Sequence, residues 1–214
     1  MSKKVKKEEH SVGTLNELRK ALQSSLHDLR RYKGGNVLML IEPQYVMDIE
    51  LETLRYLIDS EDLDGVVVTL SRPYIFLHKA LARHIKSQRR PYFVDPMSSI
   101  AGFLMLESQP QNTKIFRIEG PFEIDRVYAA VDKALNAIAK DYHGDEYFLF
   151  VDNIMGVAPY VDIKDTIKLG TKIAKGFRGS FVHKFMGITK TGAEYYKKVY
   201  KKLKFHSDIV LLMD

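Results

Sequence analysis

The chain of 214 residues contains no cysteine. Disulfide bonds, thiolate metal sites and cysteine nucleophiles are therefore excluded. This composition fits a reducing cytoplasm, where we expect the protein to be located. No apolar run approaches the roughly 20 residues of a membrane-spanning helix. The basic start of the chain, Met1 to Glu9, lacks the apolar stretch of a signal peptide, so we expect no membrane association.

The motifs that bind nucleotide phosphates are also missing. Neither GxxxxGK(S/T) nor GxGxxG occurs, so the chain has no glycine-rich loop that lets backbone amides approach a phosphate. The segment after the first predicted buried strand even begins with Pro43, which removes a backbone donor. The histidines form none of the spacings typical of zinc sites. We therefore expect no ordinary ATP hydrolysis, no zinc and no bound cofactor.

What is present is an alternation of strand-length apolar runs with amphipathic helices. Predicted strands lie at 36–42, 66–70, 91–95, 114–118, 146–152, 181–185 and 208–213. Their continuous apolar character is typical of strands buried on both faces, the habit of parallel sheets. Helices between successive strands indicate βαβ units. The sequence predicts an α/β fold, a doubly wound, mostly parallel sheet with helices on both faces.

Three parts are predicted along the chain: a basic flexible tail at 1–12, an N-terminal helix at 13–35 and a single α/β domain at 36–214. Thr14 is placed to N-cap the helix, with Glu17 as its capping-box partner. Leucines then recur at spacings of three and four along one face, at Leu15, Leu18, Leu22, Leu26 and Leu29. This stripe can pack on its own chain or on a neighbouring subunit.

Three segments carry a family resemblance. Residues 65–81 (GVVVTLSRPYIFLHKAL) resemble the second strand and following helix of RecA-like and KaiC-like ATPases. Residues 147–169 (YFLFVDNIMGVAPYVDIKDTIKL) resemble their Walker B strand, loop and next helix, and 205–214 (FHSDIVLLMD) resemble their final strand. The chain is most similar to archaeal KaiC-like proteins that lack the Walker A motif. The resemblance implies a RecA-like fold without its phosphate loop, and it makes a homo-oligomer plausible.

Few catalytic elements carry over from that family. Asp152 matches the Walker B aspartate, which helps to hold Mg²⁺ in working relatives. The catalytic acid expected after the second strand falls near Ser71 or Arg72, and neither is a carboxylate. The resemblance therefore implies a degenerate, non-catalytic module. We expect it to act through protein–protein contacts, as a regulatory or assembly subunit.

Ligands of doubly wound sheets bind beyond the carboxyl ends of the strands. The candidates for cofactor binding there are Glu42, Arg72, Asp95 and Asp152. The three carboxylates could converge on a cation, with Asp152 as the metal candidate. The alternative is that Asp95 and Asp152 bond to nearby backbone at turns. Ser71 is predicted to N-cap the helix that follows.

Two further predictions concern side chains outside this edge. His183 lies in a strand pattern, and we expect it to be a satisfied structural residue. The net charge is +6, and the densest basic segment lies on the last predicted helix, at Lys197, Lys198, Lys201, Lys202 and Lys204. These lysines could contact the phosphates of a nucleic acid, together with the N-terminal tail. They could equally form a solvated helix surface, so nucleic-acid binding is the alternative function.

Overall fold

Strands and helices alternate along the chain. The computed structural model describes residues 8–100, 102, 113–142, 144–177 and 181–213. The strands in this part are β1 (Glu8–Val12), β2 (Gly35–Ile41), β3 (Asp64–Val68), β4 (Tyr92–Asp95), β5 (Ile115–Arg117), β6 (Tyr147–Val151), β7 (Val182–Thr189) and β8 (Ile209–Met213). The helices are α1 (Leu15–Arg31), α2 (Val46–Arg55), α3 (Tyr74–His84), α4 (Met97–Ile100), α5 (Ile124–Tyr142), α6 (Ile163–Lys175) and α7 (Glu194–His206).

Short segments complete the connections. A π-helical turn, Tyr56–Ser60, continues α2, and 3₁₀ turns lie at Pro43–Tyr45 and Ile154–Val157. The predicted helix or packed loop at 100–106 lies almost entirely outside the described residues. Strand β7 continues to Thr189, four residues beyond the predicted end.

All eight described strands join one parallel sheet in the order β1-β8-β2-β7-β6-β3-β4-β5. Side chains of successive strand residues point to opposite faces, so both faces of the central strands are apolar. Helices α1, α2 and α3 cover one face, which includes Val37 and Met39. Helices α5, α6 and α7 cover the other, which includes Leu38 and Leu40. This doubly wound α/β arrangement confirms the predicted fold class.

The beginning of the described chain differs from the predicted tail. Residues Glu8–Val12 form β1, whose partners run from Ile209 to Met213 on β8. Without this strand the backbone groups along one side of β8 would lie at an open sheet edge. The prediction of a flexible tail was therefore wrong for residues 8–12, and its first seven residues lie outside the described part.

Helix α1 packs on its own chain. Leu18, Leu22, Leu26 and Leu29 of its leucine stripe are buried against the sheet face that α2 and α3 also cover, whereas Leu15, at the start of the helix, is exposed. The predicted cap is present, because the Glu17 amide donates to Thr14 Oγ1 at 3.2 Å. The Glu17 carboxylate accepts from the Gly13 amide at 2.9 Å rather than from Thr14 itself, so the capping box is shifted by one residue.

His183 lies buried at the amino end of β7. Neither ring nitrogen has a hydrogen-bond partner among the described residues, and Glu146 Oε2 lies 3.8 Å from Nε2. That carboxylate is hydrogen-bonded instead by Arg30 Nε at 2.9 Å. Burial lowers the pKa of His183 below its ordinary value, and the Glu146 charge opposes this effect. The predicted strand position of His183 is confirmed, but its two ring nitrogens lack the hydrogen-bond partners that a satisfied structural residue would have.

We predict that His183 makes the fold sensitive to mild acid. Its lowered folded-state pKa means that protonation favours the unfolded chain. The contribution of neutral His183 to the free energy of unfolding is fully present above about pH 6.5. It is lost as the pH falls towards the folded-state pKa, by up to about 1.4 kcal/mol per pH unit. Urea unfolding at several pH values should show this loss, and His183→Leu should flatten it. The exposed His27→Leu change on α1 is the control. An unchanged pH profile in His183→Leu would contradict the prediction.

Candidate functional site

The neighbouring strands β2 and β7 are followed by helices on opposite faces of the sheet. Helix α2, which follows β2, lies on one face of the sheet, and α7, which follows β7, lies on the other. This change of face creates a crevice at the carboxyl edge, the usual ligand position in this architecture. Here Lys190 Nζ lies 3.1 Å from Glu42 Oε1, and the Lys190 amide donates to the Ile41 carbonyl at 2.8 Å. The predicted candidate Glu42 is thus engaged in an ion pair across the crevice.

Asp152 lies at the end of β6 and is fully buried. Its Oδ1 accepts from the amides of Leu70 (2.7 Å) and Asn153 (2.6 Å). Its Oδ2 accepts from the Ser71 hydroxyl (2.6 Å) and the Ser71 amide (3.1 Å). Burial raises the pKa of the Asp152 carboxyl, and the hydrogen bond from the Ser71 hydroxyl is the largest opposing effect. The carboxylate joins the turn after β3 to the end of β6.

Ser71 therefore has a different role from the one predicted. Its hydroxyl donates to Asp152 instead of capping α3. Helix α3 begins at Tyr74, and the residue at its N-cap position, Pro73, provides no side-chain hydrogen bond. Ser71 lies two residues before that N-cap position, so the start of α3 at Tyr74 is the reason that the predicted cap does not form.

Two glycines allow the loops around Asp152 to pack closely. A Cβ atom on Gly156 would lie 2.4 Å from the Leu70 carbonyl oxygen. A Cβ atom on Gly187, in β7, would lie 2.0 Å from the Asp152 carbonyl oxygen. Asn153 adds a further link, since its Oδ1 accepts from the amides of Met155 (3.1 Å) and Thr189 (3.2 Å). The ends of β3, β6 and β7 are consequently held together by direct backbone contact.

Arg72 has a partner that the sequence reasoning missed. It forms an ion pair with Glu50, a fully buried carboxylate of α2, and its charge also acts on Asp152. The available signal was that Glu50 lies four residues before Leu54 and seven before Leu57, on the same face as both. A carboxylate in that position indicates a buried ion pair.

Asp95 forms its own local network at the end of β4. Its Oδ1 accepts from the amides of Met97 and Ser98, both at 2.9 Å, and its Oδ2 accepts from the Ser98 hydroxyl. These bonds begin the short helix α4, which is the turn role that the sequence analysis kept as an alternative.

The carboxylates of the sheet edge do not converge. In the described part of the chain, no three His, Asp or Glu side chains lie together in a way that could hold a metal ion. Glu42 pairs with Lys190, Asp95 bonds to α4, and Asp152 bonds to the turn after β3. The structure thus brings Arg72 near Asp152 but leaves Glu42 and Asp95 in separate networks. Each of the three carboxylates is bonded to a neighbouring side chain or to backbone amides.

The lysines of α7 differ in their surroundings. Lys197, Lys198, Lys201 and Lys202 are exposed. Lys204 Nζ lies 2.5 Å from Glu9 Oε1 and 5.5 Å from the centre of the Tyr200 ring, so this lysine links α7 to β1. Across the described ranges, no helix combines the length and apolar character needed to cross a membrane.

Comparison with known proteins identifies the fold. No protein-family model and no curated protein matches the chain. The uncharacterized protein PH0321 from Pyrococcus horikoshii, crystallised in complex with an unknown peptide, has a TM-score of 0.62, 17% identity, and matched regions covering 83% of this chain and 76% of its own. The KaiC-like protein PH0186 from the hyperthermophilic archaeon Pyrococcus horikoshii OT3 has a TM-score of 0.55, 14% identity and coverages of 84% and 71%. The fold is KaiC-like and RecA-like, as the sequence resemblance predicted.

We predict that Asp152 is a stabilising residue. Asp152→Ala removes the acceptor of four buried hydrogen bonds and should lower the free energy of unfolding by about 3 kcal/mol or more. Denaturant unfolding measures this loss. The matched control is Asp132→Ala, which removes an exposed carboxylate with one hydrogen bond to Asn136 and should change stability by about 0.5 kcal/mol or less. Equal effects of the two changes would contradict the prediction.

Proposed function

We propose that this protein is a RecA-like module without ATPase activity that acts through contacts with other proteins, as a regulatory or assembly subunit. The observation that carries the proposal is the state of Asp152. This residue matches the aspartate that helps to hold Mg²⁺ in catalytic relatives. Its two oxygens here accept four hydrogen bonds from the protein's own chain. A carboxylate used in this way stabilises the fold rather than a metal.

The crevice between β2 and β7 supports the same proposal. Pro43 directly follows Glu42 and has no amide hydrogen to offer a phosphate. Lys190, the lysine at the end of β7, is paired with Glu42 at 3.1 Å. A nucleotide phosphate placed here would meet the Glu42 carboxylate, whose negative charge repels it.

A cavity beside this crevice offers a surface for a protein partner. It encloses about 210 Å³ and lies at the carboxyl ends of β1 and β8, next to the start of α2. Ile49 and Met213 are buried at its base, whereas Leu15 and Tyr45 are 45% and 44% exposed at its rim. An apolar cavity of roughly 150 Å³ holds a benzene ring, so this one has room for one large apolar side chain. PH0321 was crystallised with an unknown peptide, which supports a peptide or protein as the partner.

Nucleic-acid binding is the second candidate function. It is favoured by the exposure of Lys197, Lys198, Lys201 and Lys202 on α7, since exposed lysines can replace the counterions of a phosphate backbone. It ranks second because the fifth predicted lysine, Lys204, is paired with Glu9 within the chain.

The first part of the proposal predicts the absence of Mg²⁺-dependent ATP hydrolysis. Phosphate release from Mg²⁺-ATP should equal that of the Asp152→Asn variant and of buffer. ATP should also leave the unfolding temperature unchanged, because a ligand that binds the folded state raises it. Turnover by the wild type that disappears in Asp152→Asn would overturn the proposal.

The second part predicts that apolar peptides bind at the Leu15–Tyr45 cavity. Peptides selected from a displayed random library should share one large apolar side chain. The Leu15→Asp/Tyr45→Asp double variant should weaken them by about tenfold to a hundredfold, as expected when one such side chain is no longer buried. Tyr32→Asp is the control, because Tyr32 is similarly exposed (46%) at the other end of α1. Failure to select any peptide, or equal binding to the double variant, would contradict this part.

A further inference from the structure

A second concave surface lies on the opposite side of the sheet from α1. It is a shallow, open groove of about 630 Å³ between α5, α6 and α7. Five lysines line it: Lys164, Lys168, Lys172, Lys175 and Lys202. We call it the lysine groove. Lys202, on α7, is the one lysine of the groove that the sequence analysis named as a candidate for binding. The other four lysines belong to α6.

The helical period of α6 places its lysines along one outward line. The inward face of α6 buries Leu169 and Ile173, which leaves Lys164, Lys168 and Lys172 at successive four-residue spacings on the outer face. With a rise of about 1.5 Å per residue, the lysines from Lys164 to Lys175 extend over about 16 Å. The groove is therefore a linear array of positive charge.

A glycine brings the fifth lysine into this array. Gly170 lies within α6, where glycine costs about 1 kcal/mol relative to alanine. A Cβ atom at this position would lie 2.7 Å from Leu203 Cδ2 of α7. The absence of that atom lets α7 approach α6 closely, so that Lys202, the neighbour of Leu203, lines the same groove.

The end of the groove is fixed by buried contacts. Lys184 Nζ, from β7, donates to the carbonyls of Ala174 (3.0 Å) and Gly176 (2.8 Å) at the end of α6. Gly176 also gives room to Tyr128, whose hydroxyl would lie 2.3 Å from a Cβ atom there. The groove is thus preformed, which reduces the ordering that binding requires.

One carboxylate of the chain already contacts these lysines. Asp125 of α5 pairs with Lys172 and lies 3.9 Å from Lys168. The hydrogen bond from Lys172 lowers the pKa of Asp125 below its ordinary value. Within the described ranges, no carboxylate lies within 4.0 Å of the ammonium groups of Lys164, Lys175 or Lys202. The groove keeps an excess of positive charge that an anionic ligand can neutralise.

The chemistry of the groove favours a protein ligand over a nucleic acid. Its Tyr128 ring is already stacked on Phe177, with centroids 4.9 Å apart, and the Lys172 ammonium lies 5.5 Å from its centre. The ring is therefore not free to stack on a base, which is the usual aromatic contribution to single-strand binding. Every charge of the lining comes from lysine, whereas arginine is the residue that forms paired, bidentate hydrogen bonds with a phosphate. Ile167 and the lysine stems supply apolar contact.

We propose that the lysine groove binds an acidic, amphipathic helical segment of a partner protein. Carboxylates repeated at helical spacing pair with the lysines of α6 and with Lys202, and the apolar face of the segment covers Ile167. Docking an amphipathic helix into a groove between helices is an established mode of peptide recognition. This inference rests on the proposed role in protein contacts and names the chemistry of one partner.

The test uses a synthetic amphipathic peptide with a glutamate at every fourth position, its glutamine counterpart, and a single-stranded oligonucleotide. Fluorescence anisotropy at fixed salt should show that the acidic peptide binds wild type about tenfold or more tightly than the glutamine peptide. Lys164→Glu/Lys168→Glu should weaken the acidic peptide by about tenfold or more, because two attractive pairs become repulsive. Asp125→Asn should strengthen it, because it frees Lys172 and Lys168.

The control variant is Lys197→Glu/Lys201→Glu, which makes the same change of charge on exposed lysines outside the groove. Its affinity for the acidic peptide should stay within about threefold of wild type, because neither lysine lines the groove and exposed charges are screened by salt. An equal loss in both double variants would overturn the inference. Oligonucleotide binding that depends on Lys164 and Lys168, without peptide binding, would overturn it in favour of nucleic acid. Peptide selection at the Leu15–Tyr45 cavity and the ATPase assay test the proposed function separately, so each can fail alone.

Discussion

Because all eight described strands run in the same direction, every connection between them must cross a face of the sheet. Helices α1 to α3 cross one face while the chain moves towards β5, and α5 to α7 cross the other while it returns to β8. This constraint places the carboxyl ends of all the described strands at one edge of the sheet. The crevice between β2 and β7 lies at that edge. The same constraint puts the lysine groove on the face covered by α5 to α7, away from the carboxyl edge where doubly wound sheets usually bind their ligands.

The buried carboxylate of Asp152 links two loops at the carboxyl edge of the sheet. The carboxylate receives donors from the turn after β3 and from its own loop. Gly156 and Gly187 allow the surrounding backbone to close around it. With Glu42 and Lys190 paired in the neighbouring crevice, the charged groups of the edge are balanced by one another. The apolar cavity beside Leu15 and Tyr45 and the lysine groove are the two surfaces on which the proposals rest.

Much of the fold could be predicted from the sequence, because buried parallel strands and amphipathic helices have strong local patterns. The Thr14 cap and the leucine stripe of α1 followed from spacing alone. The order of the strands in the sheet could not be predicted in this way, because the pairing between β8 and β1 depends on contacts between distant parts of the chain. Residues 8–12 were taken for a tail because Glu8, Glu9 and His10 do not form an apolar run, as suits a strand at the edge of a sheet.

The candidate site was less predictable for similar reasons. Glu50 and Arg72 form a pair that only tertiary structure brings together. The lysines of α6 have the spacing of any solvated helix face. A glycine within a helix, such as Gly170, does not by itself predict that another helix packs closely against it.

The position of β8 has a consequence for how the protein is made. This strand lies between β1 and β2, although it is the last of the described strands to leave the ribosome. Glu8 and its partner Ile209 are separated by nearly the whole described chain. Helix α1 and β2 can meet early, but β1 has no neighbour to pair with until β8 has been synthesised. During translation its backbone groups stay exposed, and a chaperone that shields the nascent N-terminal segment would therefore affect the yield of folded protein.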